Sequence, residues 1–433
     1  MSTAVAQQSL KNWKAPFFTI WTGQAFSLLG SQLVQFALVW WLTKTTGSAT
    51  VLATATLVAL LPQVLLGPLA GALIDRWNRR LVMIMADSLI ALATVGLALL
   101  FWIGNVQVWH VYLLMFIRSL AGGFHWPAMQ ASTSLMVPKE HLSRIQGLNQ
   151  MLTGGMSIIA APMGALLLEV LPMQGVLAID IGTALLAVVP LLFISIPQPE
   201  RSMGQQLNDT KPSVWQDFRA GLKYVWGWPG LMMILVMAAL INLLVTPAFS
   251  LLPILVTKQF GGQAMQLAYV ESAWGIGMFL GGLILSAWGG FRRRVITSLV
   301  GLILMGIGLA GVGLTPSWAF GLAVGFVFFA GIMNPIVNGP LFAVLQSVVE
   351  PEMQGRVFTL IMSVSMAMTP LGLLIAGPLA DVLGPPAWFV VGGVATALMG
   401  IVGFFIPAIM HIEDDRPTQA EVSQAVLTTS PGD

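Results

Sequence analysis

The sequence predicts an all-α membrane protein with twelve transmembrane helices arranged as two parallel six-helix repeats. Its 433 residues are 57% hydrophobic and only 8% charged, whereas a soluble domain carries about 25% charged residues. Most of the molecular surface must therefore contact lipid. Twelve apolar runs follow one another along the chain, and a spanning helix needs roughly 20 such residues. The first six runs also resemble the last six.

The apolar runs are separated by polar residues or by Gly and Pro. Four prolines fall inside runs, where the missing N–H predicts a bend; they are Pro127, Pro162, Pro247 and Pro370. The predicted spans are 16–42, 49–74, 81–103, 108–136, 145–171, 175–196, 230–256, 265–288, 294–314, 318–347, 356–382 and 387–408.

The basic residues predict the orientation of the spans. Of 19 Lys and Arg residues, 16 fall at the chain ends or in even-numbered connections between spans. Lys44 and Lys258 fall in odd-numbered connections, and Arg118 lies within a span. Since Lys and Arg accumulate on the cytoplasmic side, both termini are predicted to be cytoplasmic in a multi-pass protein of the bacterial inner membrane.

A polar segment divides the chain in the middle. Within "SVWQDFRAGLKYVW", the apolar residues Val214, Phe218, Leu222 and Val225 share one helical stripe, opposite polar and charged residues. This pattern predicts an amphipathic helix at the cytoplasmic surface. The predicted organisation is a first bundle at 1–196, a linker at 197–229, a second bundle at 230–410 and a disordered cytoplasmic tail at 411–433.

The two halves align at an offset of about 212 residues. "VPKEHLSR" (137–144) matches "VEPEMQGR" (349–356), and "MSIIAAPMGALLLEVL" (156–171) matches "MTPLGLLIAGPLADVL" (368–383). The second match aligns Glu169 with Asp381. Because six is an even number of spans, both repeats enter the membrane in the same orientation, with a substrate site expected between them.

The connection between spans two and three resembles motif A of the major facilitator superfamily. In "GALIDRWNRR", Gly71, Asp75, Arg76, Arg79 and Arg80 match the motif, while Asn78 replaces its usual Gly. A closer resemblance, to the macrolide-efflux branch that is also similar to siderophore exporters, rests on "NWKAPFFTIWTGQAFSLLGS" (12–31), "LTKTTGSATVL" (42–52), "FIRSLAGGFHWPA" (116–128) and "GRVFTLIMSVSMAMTPLGLLIAGPLAD" (355–381).

This resemblance implies export of amphipathic compounds, such as macrolide-type antibiotics, by proton antiport with alternating access. Export of a native metabolite, such as a siderophore or a lipid-like molecule, is the alternative. The expected partners are a small amphipathic substrate, protons and the bilayer. No GxxxxGK[ST], HExxH or GxSxG motif and no cysteine occurs, so we expect a transporter that is neither driven by ATP nor an enzyme. We also expect a monomer that uses no cofactor, metal or nucleic acid.

The resemblance also implies a cytoplasmic gate formed by Gly71, Asp75, Arg76, Arg79 and Arg80. In the family, the motif A Asp pairs with basic residues across the two halves while the transporter faces outward. The alternative is that these arginines only hold the connection on the cytoplasmic side.

Ionisable residues within spans are costly and therefore candidates for function. Arg118 and His125 lie on one helical face with Gly122 between them. We expect Arg118 to be a cavity cation that senses protonation or binds substrate; the alternative is an anchor that hydrogen-bonds to backbone carbonyls of another helix. Glu271 and Asp180 are the candidate proton carriers. His125 is either a proton relay or a hydrogen-bond donor to a backbone carbonyl that Pro127 leaves free. Glu271 could equally bind a cationic amine.

Three further acids, Asp87, Glu169 and Asp381, lie closer to span ends, where snorkelling or helix capping is expected to explain them. Neutral polar residues recur on one face of several spans, which predicts a polar central cavity, with hydrogen bonding between helices as the alternative. They are Gln24, Ser27, Ser31, Gln35, Asn149, Thr153, Asn242, Thr246, Asn334 and Asn338.

Overall fold

The computed structural model describes residues 13–74, 77–197 and 214–413. The helices of the first half are α1 (Lys14–Thr46), α2 (Ala49–Ile74), α3 (Arg79–Ile103), α4 (Val108–Met136), α5 (Leu142–Val170) and α6 (Met173–Phe193). A separate helix, α7 (Val214–Trp226), follows. The second half contains α8 (Pro229–Ser250), α9 (Leu252–Phe260), α10 (Ala264–Trp288), α11 (Arg294–Leu314), α12 (Phe320–Val348), α13 (Pro351–Leu383), α14 (Pro385–Phe405) and the short α15 (Pro407–Met410).

Twelve of these helices have at least 21 residues, which confirms the predicted number of spans. By length and composition, eleven helices of the described chain are apolar enough to cross a membrane. The twelfth long helix is α4, which carries Arg118 and His125. The seventh predicted span consists of two helices that meet at Leu251, because Pro247 and Pro253 lack the N–H groups that a continuous helix would use.

Successive spans run antiparallel, so the start of one helix lies at the same end of the molecule as the end of the next. We call the end that holds Lys14, Arg79 and Arg294 the basic end, and the opposite end, which holds Thr46 and Leu383, the distal end. Local sequence explains several helix boundaries. At the basic end, Asn78 accepts a hydrogen bond from the backbone N–H of Leu81 and so caps α3, as Asn commonly does. At the distal end, Gly104 ends the same helix in the left-handed conformation, with φ of 75°.

The helix pairings repeat between the halves. Helix α2 packs against α13, and α5 packs against α10. The first pair joins spans two and eleven, and the second joins spans five and eight. Because spans eight and eleven are the repeat equivalents of spans two and five, the two contacts are equivalent. This arrangement matches the parallel six-helix repeats predicted from the sequence.

Helix α7 has the amphipathic character that its sequence predicts. Val225 is fully buried, and Phe218 and Leu222 pack against the apolar cluster at the basic end of the second half. Arg219 and Lys223 are exposed on the other side. The helix therefore rests on α8 and α13, which fixes it to the second half.

The two halves are joined at the distal end. One buried cluster combines Phe36 and Trp40 of α1 and Ala165 of α5 with Leu251 and Ala376 of the second half. Backbones also approach closely there, since a Cβ added at Gly377 would lie 2.8 Å from the Cβ of Ala53. Only glycine permits that spacing.

At the basic end, the buried clusters are separate. One cluster, which includes Phe17, Ile74 and Met136, consists of residues from the first half alone. The other, which includes Val225, Leu345 and Ile412, consists of residues from α7 and the second half alone. Within the described part of the chain, no buried apolar cluster at the basic end contains residues of both halves.

Several predictions concern residues outside the described ranges. Asp75 and Arg76 of motif A are among them, as are 198–213 of the linker and 414–433 of the tail. The domain boundaries at 196, 230 and 410 therefore remain a proposal.

Candidate functional site

A buried ion pair lies in the middle of the first half. Arg118 Nη1 of α4 donates to Asp180 Oδ2 of α6 at 2.6 Å, and the Asp180 side chain is only 2% exposed. Asp180 also accepts hydrogen bonds from Ser31 of α1 and Thr94 of α3, at 3.3 and 3.2 Å. Four helices thus converge on one carboxylate, which is fully supplied with donors.

A second polar group lies nearer the basic end. Asp87 of α3 is buried, and its Oδ2 accepts a hydrogen bond from Gln24 Nε2 of α1 at 3.1 Å. Its Oδ1 lies 3.4 Å from His125 Nε2 of α4. Beside them, Trp21 Nε1 donates to Asn149 Oδ1 of α5 at 2.8 Å.

Both groups border one cavity of about 190 Å³, which we call the first-half cavity. Most of the residues predicted from the first half for a polar cavity line it together with Asp87. They are Gln24, Ser27, Ser31, Arg118, His125, Asn149 and Thr153.

A second cavity of about 280 Å³ lies between the halves, and we call it the inter-half cavity. Glu271 of α10 and Gln35 of α1 line it, together with Ser157 and Phe249. Glu271 lies seven residues from Ala264 at the distal end, about 10 Å along the helix. No described residue donates a hydrogen bond or forms an ion pair with its carboxylate. Glu271 is therefore open to a proton or a cationic ligand.

Arg118 and Glu271 line different cavities in this conformation. Arg118 is not a partner of the Glu271 carboxylate here, because Asp180 holds the guanidinium. Arg118 therefore compensates Asp180, and Glu271 has no cationic neighbour of its own in the described residues.

The predicted polar residues of the second half lie in separate places. Asn242 and Asn338 line a third cavity, of about 110 Å³, inside that half. The Asn338 amide donates to the backbone carbonyl of Asn334, and Thr246 Oγ1 lies 3.5 Å from Asn242 Oδ1. These contacts lie within single helices, so their role in substrate binding stays a prediction.

The motif A arginines anchor helices of the first half. Arg79 is buried and donates to the carbonyl of Ala131 near the end of α4, at 2.8 Å. Arg80 donates to the carbonyls of Leu191 and Leu192 at the end of α6. Both arginines therefore bind carbonyls near helix C-termini, where a positive charge is favourable. Gly71 lies in the last turn of α2, and Asp75 and Arg76 are not among the described residues.

The structure corrects the interpretation of Asp87 as a residue at a span end. Helix α3 begins at Arg79, so Asp87 lies about 12 Å inside it, where α1 and α4 cover the carboxylate. Snorkelling and capping do not explain it. A sequence signal exists: Asp87 and Thr94 are seven residues apart on α3, as Arg118 and His125 are on α4. This spacing places each pair on one helix face.

Asp381 does act as a helix cap, but for a helix of the other half. At the distal end of α13, it accepts hydrogen bonds from the backbone N–H groups of Ala49 and Thr50, at 2.7 and 3.0 Å, and from Ser48 Oγ at 2.9 Å. These groups form the start of α2, so the cap joins the halves. Its repeat equivalent, Glu169, is exposed.

Comparison with known proteins identifies the family to which this architecture belongs. The model of the Major Facilitator Superfamily matches residues 20–373, which is most of both repeats. The chain belongs to the major facilitator superfamily. It is accordingly a multi-pass membrane protein of a transporter class, as the resemblance of its motifs predicted.

Two curated relatives show the branch. The chain is 33% identical to Macrolide efflux protein A of Streptococcus pyogenes over 406 residues, covering 94% of this chain and 99% of the relative. It is 26% identical to the multidrug efflux pump Tap of Mycolicibacterium fortuitum, covering 89% and 94%. The chain is thus similar over nearly its full length to efflux proteins.

Solved structures share the fold at low identity. A bacterial homologue of the human lysosomal transporter Spinster, in an inward-facing and unoccupied conformation, has a TM-score of 0.67 at 14% identity and covers 93% of this chain and 98% of its own. The nucleoside transporter NupG, as a D323A mutant, has a TM-score of 0.66 at 13% identity and covers 90% and 98%.

Proposed function

We propose that this chain is a secondary active exporter of amphipathic compounds, with macrolide-type antibiotics as its substrate class, driven by proton antiport. The observation that carries the proposal is the 33% identity to a macrolide efflux protein over 94% of the chain. The relative is covered almost completely, so both repeats and the linker between them are shared. Family membership gives the transporter class, and this similarity supports the proposed direction and substrate class.

Alternating access is supported by the unequal contacts at the two ends. The halves share a buried cluster at the distal end, whereas each half has its own cluster at the basic end. With the basic end assigned to the cytoplasm by its Lys and Arg residues, this conformation faces inward. In the proposed cycle the halves rock about the central site, so that the distal contact opens when the basic end closes.

Proton coupling is proposed to use Glu271. Its carboxylate lies in the cavity between the halves without a partner among the described residues, and burying such an ion is costly. Protonation or a bound cationic substrate removes the cost, so the two compete for one site. Asp180 is the second candidate, but its ion pair with Arg118 makes it a structural group in this conformation.

The driving force is sufficient for useful export. One proton moved down a proton-motive force of roughly 150 mV gains about 3.5 kcal/mol. Since about 1.4 kcal/mol corresponds to a tenfold change in an equilibrium constant, a single proton sustains a substrate gradient of several hundredfold.

The test is transport into everted membrane vesicles with an imposed pH gradient, acidic inside, for a panel of macrolides, dyes and siderophores. Gradient-dependent uptake of macrolides above that of vesicles lacking the protein is expected. Uptake of siderophores alone would favour export of a native metabolite, and uptake of none of them would overturn the proposal.

A further inference from the structure

Asp87 and His125 form a buried pair for which the proposal for Glu271 gives no role. Helices α3 and α4 run antiparallel, and their polar residues meet at two levels. At one level Thr94 and Arg118 meet Asp180. At the other, two turns nearer the basic end, Asp87 meets His125 and Gln24.

The charges at these two levels do not balance. Arg118 remains protonated at all relevant pH values, and it neutralises Asp180. Among the described residues, Asp87 has the neutral amide of Gln24 and the ring of His125 within reach, and no other polar partner. With a neutral histidine, the first-half cavity therefore carries one uncompensated negative charge.

Among the described residues, the helices around the cavity place no other cation beside Asp87; Arg79 and Arg80 of α3 lie about two turns away and bind carbonyls of α4 and α6. Helix α2 contains no ionisable residue, and the ionisable residues of α1 and α5 lie at their ends. Into the cavity, α1 contributes Gln24, Ser27 and Ser31, and α5 contributes Asn149 and Thr153. Asp180 is the one ionisable residue of α6, and it is paired. Among the described residues that line this cavity, His125 is thus the one group near enough to offset Asp87.

We propose that Asp87 and His125 together form one proton-binding site in the first half, separate from Glu271 between the halves. A hydronium ion gives up one O–H bond and leaves as water, and its proton forms one N–H or O–H bond within the pair. The pair is then neutral overall, which removes the cost of an uncompensated buried charge. Gln24 is a positioning residue, because its amide holds the second oxygen of Asp87.

The pair lies closer to the basic end, so we expect its proton to exchange on that side. Asp87 lies about 12 Å along α3 from the basic end, where the described halves have separate buried clusters. A role in coupling export to protons rests on the proposed function. Proton binding by the pair does not, so the two can be tested separately.

The test of binding is a count of protons taken up by the purified full chain in detergent, without substrate, between about pH 8 and about pH 5, where histidine ordinarily titrates. Asp87→Asn is expected to take up about one proton fewer than wild type, since a buried histidine without an anion stays neutral. Asp87→Glu keeps the carboxylate and is expected to keep the wild-type count.

A double variant shows whether the two residues share one proton. Asp87→Asn with His125→Gln is expected to lose about one proton, the same as Asp87→Asn alone. An unchanged count in Asp87→Asn, or a loss of two in the Asp87–His125 double variant, overturns the proposal.

A measurement on wild type guards against variants that do not fold. The nuclear magnetic resonance signal of the His125 ring, identified by its absence in His125→Gln, is expected to titrate over this pH range. A ring that stays neutral throughout overturns the proposal.

Transport in everted vesicles, with erythromycin as the probe, separates the two proposals. If wild type shows no gradient-driven uptake while the proton count holds, the proposed function fails and the site stands. If wild type and Asp87→Asn accumulate the probe equally, the site has no part in coupling and the inference about its role falls.

Discussion

Asp180 and Glu271 are both acids within spans, yet their surroundings differ. Asp180 is held by Arg118, Ser31 and Thr94, whereas no described residue pairs with the Glu271 carboxylate. A carboxylate therefore serves stability in one place and is available for proton exchange in the other.

Removing the charge of Asp180 should destabilise the protein. Asp180→Asn leaves Arg118 as a buried cation without its anion, which costs about 3 kcal/mol or more. We expect a clear fall in the melting temperature in detergent. Arg118→Gln combined with Asp180→Asn removes both charges and should be more stable than Asp180→Asn alone; a double variant that is the less stable of the two would contradict this account.

Removing the charge of Glu271 should affect coupling and leave stability intact. Glu271→Gln mimics the protonated carboxyl, so it should abolish pH-driven efflux while permitting substrate binding and downhill exchange. The measurement is proton release when erythromycin is added to purified protein. Glu169→Gln, at an exposed acid, is the matched control. Release by Glu271→Gln equal to that of wild type would identify Glu271 as a bystander and make Asp180 the next candidate.

Sequence reasoning identified most cavity residues but not their partners. The face shared by Arg118 and His125 follows from helical spacing, and the structure places both on the first-half cavity. That Arg118 meets Asp180, 62 residues later, depends on how α4 packs near α6. The position of Asp87 differs from the prediction because the apolar run starts at 81, whereas α3 starts at Arg79, so Asp87 lies further inside the helix than the run indicates.

At the scale of elements, the apolar runs predict the helices closely. Hydropathy is a property of each segment and needs no tertiary information, which explains the agreement. Hydropathy does not predict the helix break at Leu251 or the cap that Asp381 provides to α2. The first depends on how Pro247 and Pro253 act together, and the second on a contact between residues more than 300 positions apart.

The cross-half cap predicts an effect on the distal contact. Asp381→Asn replaces one acceptor oxygen by an NH₂ group that cannot accept from the start of α2. A lost hydrogen bond of about 1.4 kcal/mol corresponds to roughly a tenfold shift toward the form that is open at the distal end. Glu169→Gln, the repeat-equivalent change, should have no such effect.

Spin labels measure this shift directly. The chain contains no cysteine, so cysteines at the exposed positions Asn105 and Trp318 report the distal separation of the halves without background. Longer distances should become more populated in Asp381→Asn. Identical distance distributions in Asp381→Asn and wild type would show that the cap does not hold the distal end closed.

Motif A gives a prediction for the opposite end. Arg79 and Arg80 bind carbonyls of α4 and α6 within the first half, so in this conformation neither of these described contacts bridges the halves. The resemblance to the family assigns the bridging role to Asp75 when the basic end closes. Asp75→Asn should therefore nearly abolish efflux at a normal level in the membrane, and efflux equal to that of wild type would remove Asp75 from the gate.

At the scale of the whole molecule, two equivalent helix pairs, α2 with α13 and α5 with α10, join the halves. Ser272 of α10 also donates to the carbonyl of Ile158 of α5, at 2.9 Å. Glu271 is adjacent to Ser272, so the unpaired carboxylate lies directly beside one of these contacts. Ionisation of Glu271 should therefore weaken the distal contact, because opening it admits water to the charge.

The most direct test of this account is the distance between spin labels at Asn105 and Trp318, measured across a pH series in wild type and in Glu271→Gln. The account predicts that raising the pH lengthens the distance in wild type, since the ionised carboxylate favours an open distal end. In Glu271→Gln the distance should stay short at every pH. A wild-type distance that does not change with pH, or a Glu271→Gln distance that changes as the wild type does, would contradict proton control of the two halves through Glu271.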